Sequence, residues 1–232
     1  MKKIAIFVEG QTESIFIDAY LRELFSRNSI SITSQKFSGG RRSPIRINTI
    51  NAESTSLRTE YFFLIIDCTS ENNVISYIND QYSSLISSNY TKIIGLRDVY
   101  PNINRSDIPK FKNTIENLFI GRPVPVKLIL CIMEIESWFI FEETHFKRIN
   151  SLLDDNLIRT NIGFDIMNEN SEIINNPAKT LDDIYRIVRL RYSKSLKSAK
   201  RTVRCIDIAN LYLKSKLNES FWEFKTEIDS IF

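Results

Sequence analysis

Ile4-Ala5-Ile6-Phe7-Val8-Glu9-Gly10-Gln11-Thr12-Glu13 reads as a strand, a tight turn and the start of a helix. Five apolar residues without alternation predict a strand covered on both faces, as in a parallel sheet. Phe16, Ala19, Tyr20, Leu24 and Phe25 then recur near helical spacing, which predicts a helix over Ser14–Arg27. Gly10 suits a sharp strand-to-helix turn. Thr12 fits an N-cap, and Glu13 fits the positive end of the helix dipole, so Glu13 has a structural explanation as well as a functional one. Glu9 has less of one, because a carboxylate following five apolar strand residues needs a cation or a donor.

Outward from this unit the pattern repeats. Tyr61–Ile66 predicts a second buried strand ending at Asp67, and Val74–Ser88 a helix. Lys92–Leu96 predicts a third strand ending at Arg97-Asp98, with Pro101 as its stop and a helix over Asp107–Ile120. Val126–Ile132 predicts a fourth, ending at Glu134-Ile135-Glu136. Strands alternating with helices predict an α/β fold with a mostly parallel sheet flanked by helices. Residues 30–58 are polar, with Gly39-Gly40-Arg41-Arg42 and Pro44, and predict only a weak strand and an irregular segment. All four clear strands deliver an acid at or just beyond their carboxyl ends, where open α/β sheets bind ligands. Glu9, Asp67, Asp98 and Glu134 or Glu136 are therefore candidate convergent carboxylates; the plainer reading is that acids are ordinary turn residues.

Composition narrows the chemistry. The 232 residues carry 31 Lys+Arg against 28 Asp+Glu, a net charge of +3, with 43% hydrophobic and 25% charged residues. That is an ordinary globular balance and excludes a wholly basic nucleic-acid coat. No apolar run approaches the roughly 18–20 residues a membrane span needs, and the start carries no signal-peptide pattern, so a cytoplasmic protein without membrane contact is expected. Three scattered cysteines make neither a disulfide framework nor a zinc ribbon. One histidine, His145, leaves His-metal clusters and Ser-His-Asp triads with nothing else to build on. No G-x-x-x-x-G-K-[ST] occurs, so any ATP-driven step belongs to a partner.

From Phe141 onward the texture becomes helical and charge-segregated. Residues 141–178 have a net charge of −4 and residues 179–204 a net charge of +7. In the basic stretch, Arg186, Arg189, Lys194, Lys197, Lys200 and Arg201, with Tyr185 and Tyr192 interleaved, are candidates for contact with the phosphates of DNA or RNA. The alternative is a solvated face paired with the acidic segment before it, each exposed pair contributing about 0–1 kcal/mol. Trp138, Phe139 and Phe141 read as core aromatics where sheet meets tail.

Val8-Glu9-Gly10-Gln11-Thr12-Glu13 resembles the Toprim signature of topoisomerases, primases and the overcoming-lysogenization-defect nucleases, over roughly Met1–Ile140. Asp98-Val99-Tyr100, Met133-Glu134-Ile135-Glu136-Ser137-Trp138 and Asn176-Pro177-Ala178-Lys179 are similar to an uncharacterised bacterial Toprim-like family found beside defence genes. The resemblance implies a Toprim-like domain over 1–140 with a helical extension over 141–232. It further implies Mg²⁺ or Mn²⁺ held by Glu9, Glu13 and Asp98, and nuclease activity in defence against foreign nucleic acid. Tyr100 stands where the family has a second Asp; Asp67, Glu134 or Glu136 would then supply the missing charge. A receiver-like domain is a competing class, as is an inactive scaffold serving a partner ATPase. The reading also admits a homodimer.

Overall fold

The computed structural model describes residues 1–26, 29–40, 43–100 and 102–232. Arg27, Arg41-Arg42 and Pro101, which the sequence assigned to a helix end, an irregular segment and a strand stop, lie outside the described residues. The chain divides into two compact units: residues 1–97 with 107–129, and residues 98–106 with 130–232.

The first unit is built on a sheet of β1 (Lys2–Val8), β2 (Ile30–Gly40), β3 (Ser43–Ala52), β4 (Tyr61–Asp67), β5 (Lys92–Asp98) and β6 (Val126–Cys131), in the order β3-β2-β4-β1-β5-β6. The helices α1 (Gln11–Leu24), α2 (Glu71–Ser87) and α3 (Ile108–Leu118) connect the strands. The sheet is mostly parallel: β1 pairs in parallel with β4 and β5, and β2 with β4, while β3 is antiparallel to β2. This is the expected α/β architecture, and it follows from the apolar runs. Ala5, Ile6, Phe7, Val8, Phe63, Ile65, Ile93 and Ile94 are almost wholly buried, each large side chain contributing about 1.5–3 kcal/mol. Gly95 lets the sheet pack closely, since a Cβ there would lie 2.3 Å from Leu128 Cδ1 and 2.9 Å from Ile78 Cδ1.

Two local expectations are corrected. The first helix starts at Gln11 with Gly10 as its N-cap, so Thr12 lies inside the helix and its buried hydroxyl caps nothing. Gly10 is extended, a backbone conformation any residue adopts; a Cβ there would sit 3.4 Å from the Glu13 carboxylate. Residues 30–58 are mainly two paired strands, β2 and β3, and not an irregular segment. All ten residues of β3 are exposed, so no burial periodicity marks it.

The second unit packs α4 (Glu136–Phe141), α5 (Thr144–Ile149), α6 (Asp155–Ile162), α7 (Pro177–Ile187), α8 (Leu196–Cys205), α9 (Ile208–Lys214) and α10 (Glu219–Asp229). Trp138, Phe139 and Phe141 are buried core aromatics, as expected. Trp138 meets Phe221 edge-on at 5.2 Å and donates its indole N–H to Ser220 Oγ at 2.7 Å. The buried Glu142 carboxylate accepts from Thr144 N and Oγ1, His145 N, Asp207 N and Asn210 Nδ2 at 2.5–3.2 Å, joining α5 to α9. Among the described residues no helix is long and apolar enough to cross a membrane.

Candidate metal centre

Asp98, Glu134 and Glu136 converge in the second unit, with one carboxylate oxygen from each lying within 4.8 Å of the others. The path that brings them there is short. Asp98 ends β5, and beyond it Val99 N bonds to Cys131 O at 3.2 Å and Tyr100 N to Met133 O at 2.8 Å. These bonds hold the chain after β5 against the turn that carries the two glutamates. Met133, in that turn, is left-handed at φ 65°, a conformation costing about 1–2 kcal/mol for a residue with a Cβ. Asp98 Oδ1 accepts from Ile135 N at 3.0 Å, and Glu136 follows as the first residue of α4.

The other side of the cluster comes from the basic tail. Glu134 Oε2 accepts from Ala178 N at 3.0 Å, in the first turn of α7, where Asn176 is the N-cap and Pro177 occupies the first position. The helix dipole favours a carboxylate there. Two motifs quoted from the sequence, Met133–Trp138 and Asn176–Lys179, are thus joined by a hydrogen bond. Tyr192 OH donates to Glu136 Oε1 at 2.7 Å. Lys194 Nζ lies 3.0 Å from Glu134 Oε1, 3.4 Å from Asp98 Oδ2 and 3.5 Å from Glu136 Oε2. Asp182 orders this loop by accepting from Tyr192 N at 2.9 Å and pairing with Arg186 and Arg191. Burial opposes its ionisation, but the bonds from Arg191 and Tyr192 outweigh that and hold its carboxyl below the usual range.

Three buried carboxylates against one ammonium leave an excess of negative charge. Burial pushes the Glu136 carboxyl up; Lys194 and the Tyr192 hydroxyl oppose this and Glu134 reinforces it. Glu136 Oε2 accepts no hydrogen bond among the described residues. An all-oxygen donor set with a buried carboxylate oxygen that accepts no hydrogen bond could hold a metal ion. The chain matches no protein-family model, no curated protein and no solved structure.

The remaining sequence candidates are described unit by unit. Glu9, Glu13 and Asp67 belong to the first unit. There Asp67, level with Val8 in the strand register, pairs with Lys36 at 3.1 Å and accepts from Thr69 N at 2.8 Å. Glu13 is buried and Glu9 half-buried. Of the six basic candidates, Arg186 pairs with Asp182, Arg201 lies over the Tyr185 ring at 5.5 Å, and Arg189, Lys197 and Lys200 are exposed. The sequence places Lys194 only in a run of candidate phosphate contacts, and nothing in that run signals its position among the acids or the role of Tyr192 as a donor. The one sequence signal for that side of the site is Asn176-Pro177, a helix-start signature that fixes where α7 presents its free N–H groups.

Proposed function

We propose that this chain is a Mg²⁺- or Mn²⁺-dependent nuclease that hydrolyses phosphodiester bonds, with defence against foreign nucleic acid as its setting. The observation that carries the reading is the convergence of Asp98, Glu134 and Glu136 around one ammonium. These three carboxylates would hold the cation. When bound, the ion polarises a phosphoryl oxygen and lowers the pKa of a bound water. The chain's own groups then have distinct tasks. Ile135 N, Ala178 N and Tyr192 OH each hold one oxygen of a different carboxylate, leaving the second oxygen of each facing the ammonium. Lys194, 42% exposed where the acids are buried, brings positive charge from the solvent side, where a substrate phosphate would approach. Exposed Lys197 and Lys200 on α8 add further positive charge. The Toprim resemblance and the α/β fold support the same reading.

One observation favours a second reading. A lysine ammonium already compensates the three acids, as in a site that has exchanged a metal for a salt bridge, which fits an inactive scaffold serving a partner ATPase. Incubation of plasmid, single-stranded DNA and total RNA with Mg²⁺ or Mn²⁺ separates the two. Metal-dependent cleavage that disappears in Asp98→Asn and Glu134→Gln supports the nuclease. Cleavage absent in wild type, with no metal-induced stabilisation, supports the scaffold. Glu9→Ala and Glu13→Ala in the same panel test the acids of the first unit.

A further inference from the structure

The β2–β3 hairpin outruns the sheet that supports it. Pairing of β2 with β4 stops at Lys36 opposite Asp67, whereas pairing of β2 with β3 continues through Phe37 opposite Ile47 and Ser38 opposite Arg46 to Gly40 opposite Ser43. Four residues of overhang at about 3.3 Å each give a two-stranded arm about 13 Å long. It is anchored at its base, where Phe37 is buried and stacks on Tyr77 of α2 with ring centroids 3.7 Å apart. Asn48 Nδ2 donates to Ser38 Oγ at 2.7 Å across the ribbon. At the outer end Gly39 has φ 95°, and a Cβ there would lie 2.2 Å from Pro44 O, so the strands close tightly only around glycine.

The arm's chemistry is unlike that of the sheet it leaves. Phe37 to Ile47 contains three basic residues, Arg41, Arg42 and Arg46, and no acid, while Lys36 at the base is paired with Asp67. Arg46 is exposed, and so are Ile45 (55%), Ile47 (40%) and Ile50 (66%). Exposed apolar residues on an edge strand invite pairing with a second copy, but this strand is built against that. Pro44 lacks an N–H and the register breaks twice, between Ser34 and Gln35 and between Ser38 and Gly40; proline and bulges are the devices that block edge-to-edge pairing. A basic two-stranded ribbon fits a groove of duplex DNA, and exposed Pro and Ile beside Arg are the side chains that wedge between base steps in the minor groove.

We propose that this arm grips double-stranded DNA, with Arg46 on the phosphates and Pro44, Ile45 and Ile47 against the base pairs. The inference rests on the nuclease reading and names its substrate class. The test is fluorescence anisotropy of a short labelled DNA duplex titrated with the full chain in EDTA, so that binding is measured without cleavage. Wild type binds the duplex more tightly than single-stranded DNA or duplex RNA of the same length. Arg46→Glu weakens binding about tenfold near 0.1 M salt and lowers the salt slope by about 1. Ile45→Ser/Ile47→Ser also weakens it, and both variants unfold at the wild-type temperature because these side chains are exposed. Unchanged DNA affinity in both variants overturns the proposal, as does a change in particle mass on sedimentation with DNA binding intact, which would make the arm a self-association surface. Equal or tighter binding of duplex RNA overturns it too. Wild type that binds through the arm yet cleaves nothing with Mg²⁺ keeps the arm and sinks the nuclease reading; cleavage insensitive to the arm variants does the reverse.

Discussion

Replacing Lys194 with Met removes the ammonium and keeps most of the apolar stem. Three carboxylates whose side chains are 1%, 9% and 0% exposed then face one another with no counter-charge. A unit charge pair at 4 Å is worth about 4 kcal/mol at an effective dielectric of 20. Removing one partner of a fully buried pair costs about 3–5 kcal/mol. The lysine side chain is 42% exposed, so water already screens part of its attraction, and a loss of about 2 kcal/mol is expected. For a chain of this size that corresponds to a fall in Tm of about 4–8 °C in EDTA. A divalent cation competes with Lys194 for the same oxygens, so Lys194→Met gains more from Mg²⁺ than wild type does. At a hundred times Kd the gain is about 2.7 kcal/mol, enough to offset the loss. Differential scanning calorimetry with EDTA and with Mg²⁺ reads both effects. Adding Glu136→Gln to Lys194→Met removes one negative charge and restores part of the EDTA stability, a coupling that a double-mutant cycle isolates. A Lys194→Met protein with the wild-type Tm in EDTA and no extra response to Mg²⁺ would refute the idea that these groups form one electrostatic unit.

Glu142→Ala strands five donors inside the second unit and costs about 3–5 kcal/mol by urea denaturation; a loss under 1 kcal/mol contradicts the hub role. Gly95→Ala drives a methyl into Leu128 and Ile78 and destabilises by about 1–3 kcal/mol, visible as a lower urea midpoint. His145 is wholly buried: burial lowers its pKa, the Glu142 carbonyl and the Glu142 and Glu143 carboxylates oppose the shift, and Arg148 reinforces it. The folded state thus binds fewer protons than the unfolded one. Its contribution is present above about pH 6.5 and is lost as pH falls, at up to about 1.4 kcal/mol per pH unit. His145→Gln should flatten the stability profile between about pH 6.5 and 5, and an unchanged slope would show that other groups dominate that window.

What the sequence disclosed and what it hid have the same physical origin. β1, β4, β5 and β6 were legible because strands buried on both faces need unbroken apolar runs, and Ile4–Val8 and Tyr61–Ile66 have them. Over residues 30–58 the sequence shows only a weak strand, and β3 is illegible because an exposed edge strand owes its pairing to backbone bonds, which write no hydrophobic period. At the site, Asp98, Glu134 and Glu136 were legible as strand-end acids. Lys194 was not, because nothing in a charge run says that a bend after α7 turns one lysine inward while Lys197 and Lys200 stay exposed. That bend depends on Asp182 gathering Arg186, Arg191 and the Tyr192 N–H.

The lysine that completes the cluster lies 96 residues beyond Asp98 along the chain, and this sets an order of events during synthesis. At about 5–20 residues per second Asp98 leaves the ribosome roughly 5–20 s, and the two glutamates roughly 3–12 s, before their counter-charge. For that interval a nascent chain has its sheet and its three carboxylates but not the lysine or the Tyr192 hydroxyl that steady them. The centre is therefore assembled late, by the same helices that close the second unit, and a ribosome stalled before residue 192 would display the acids without forming the site.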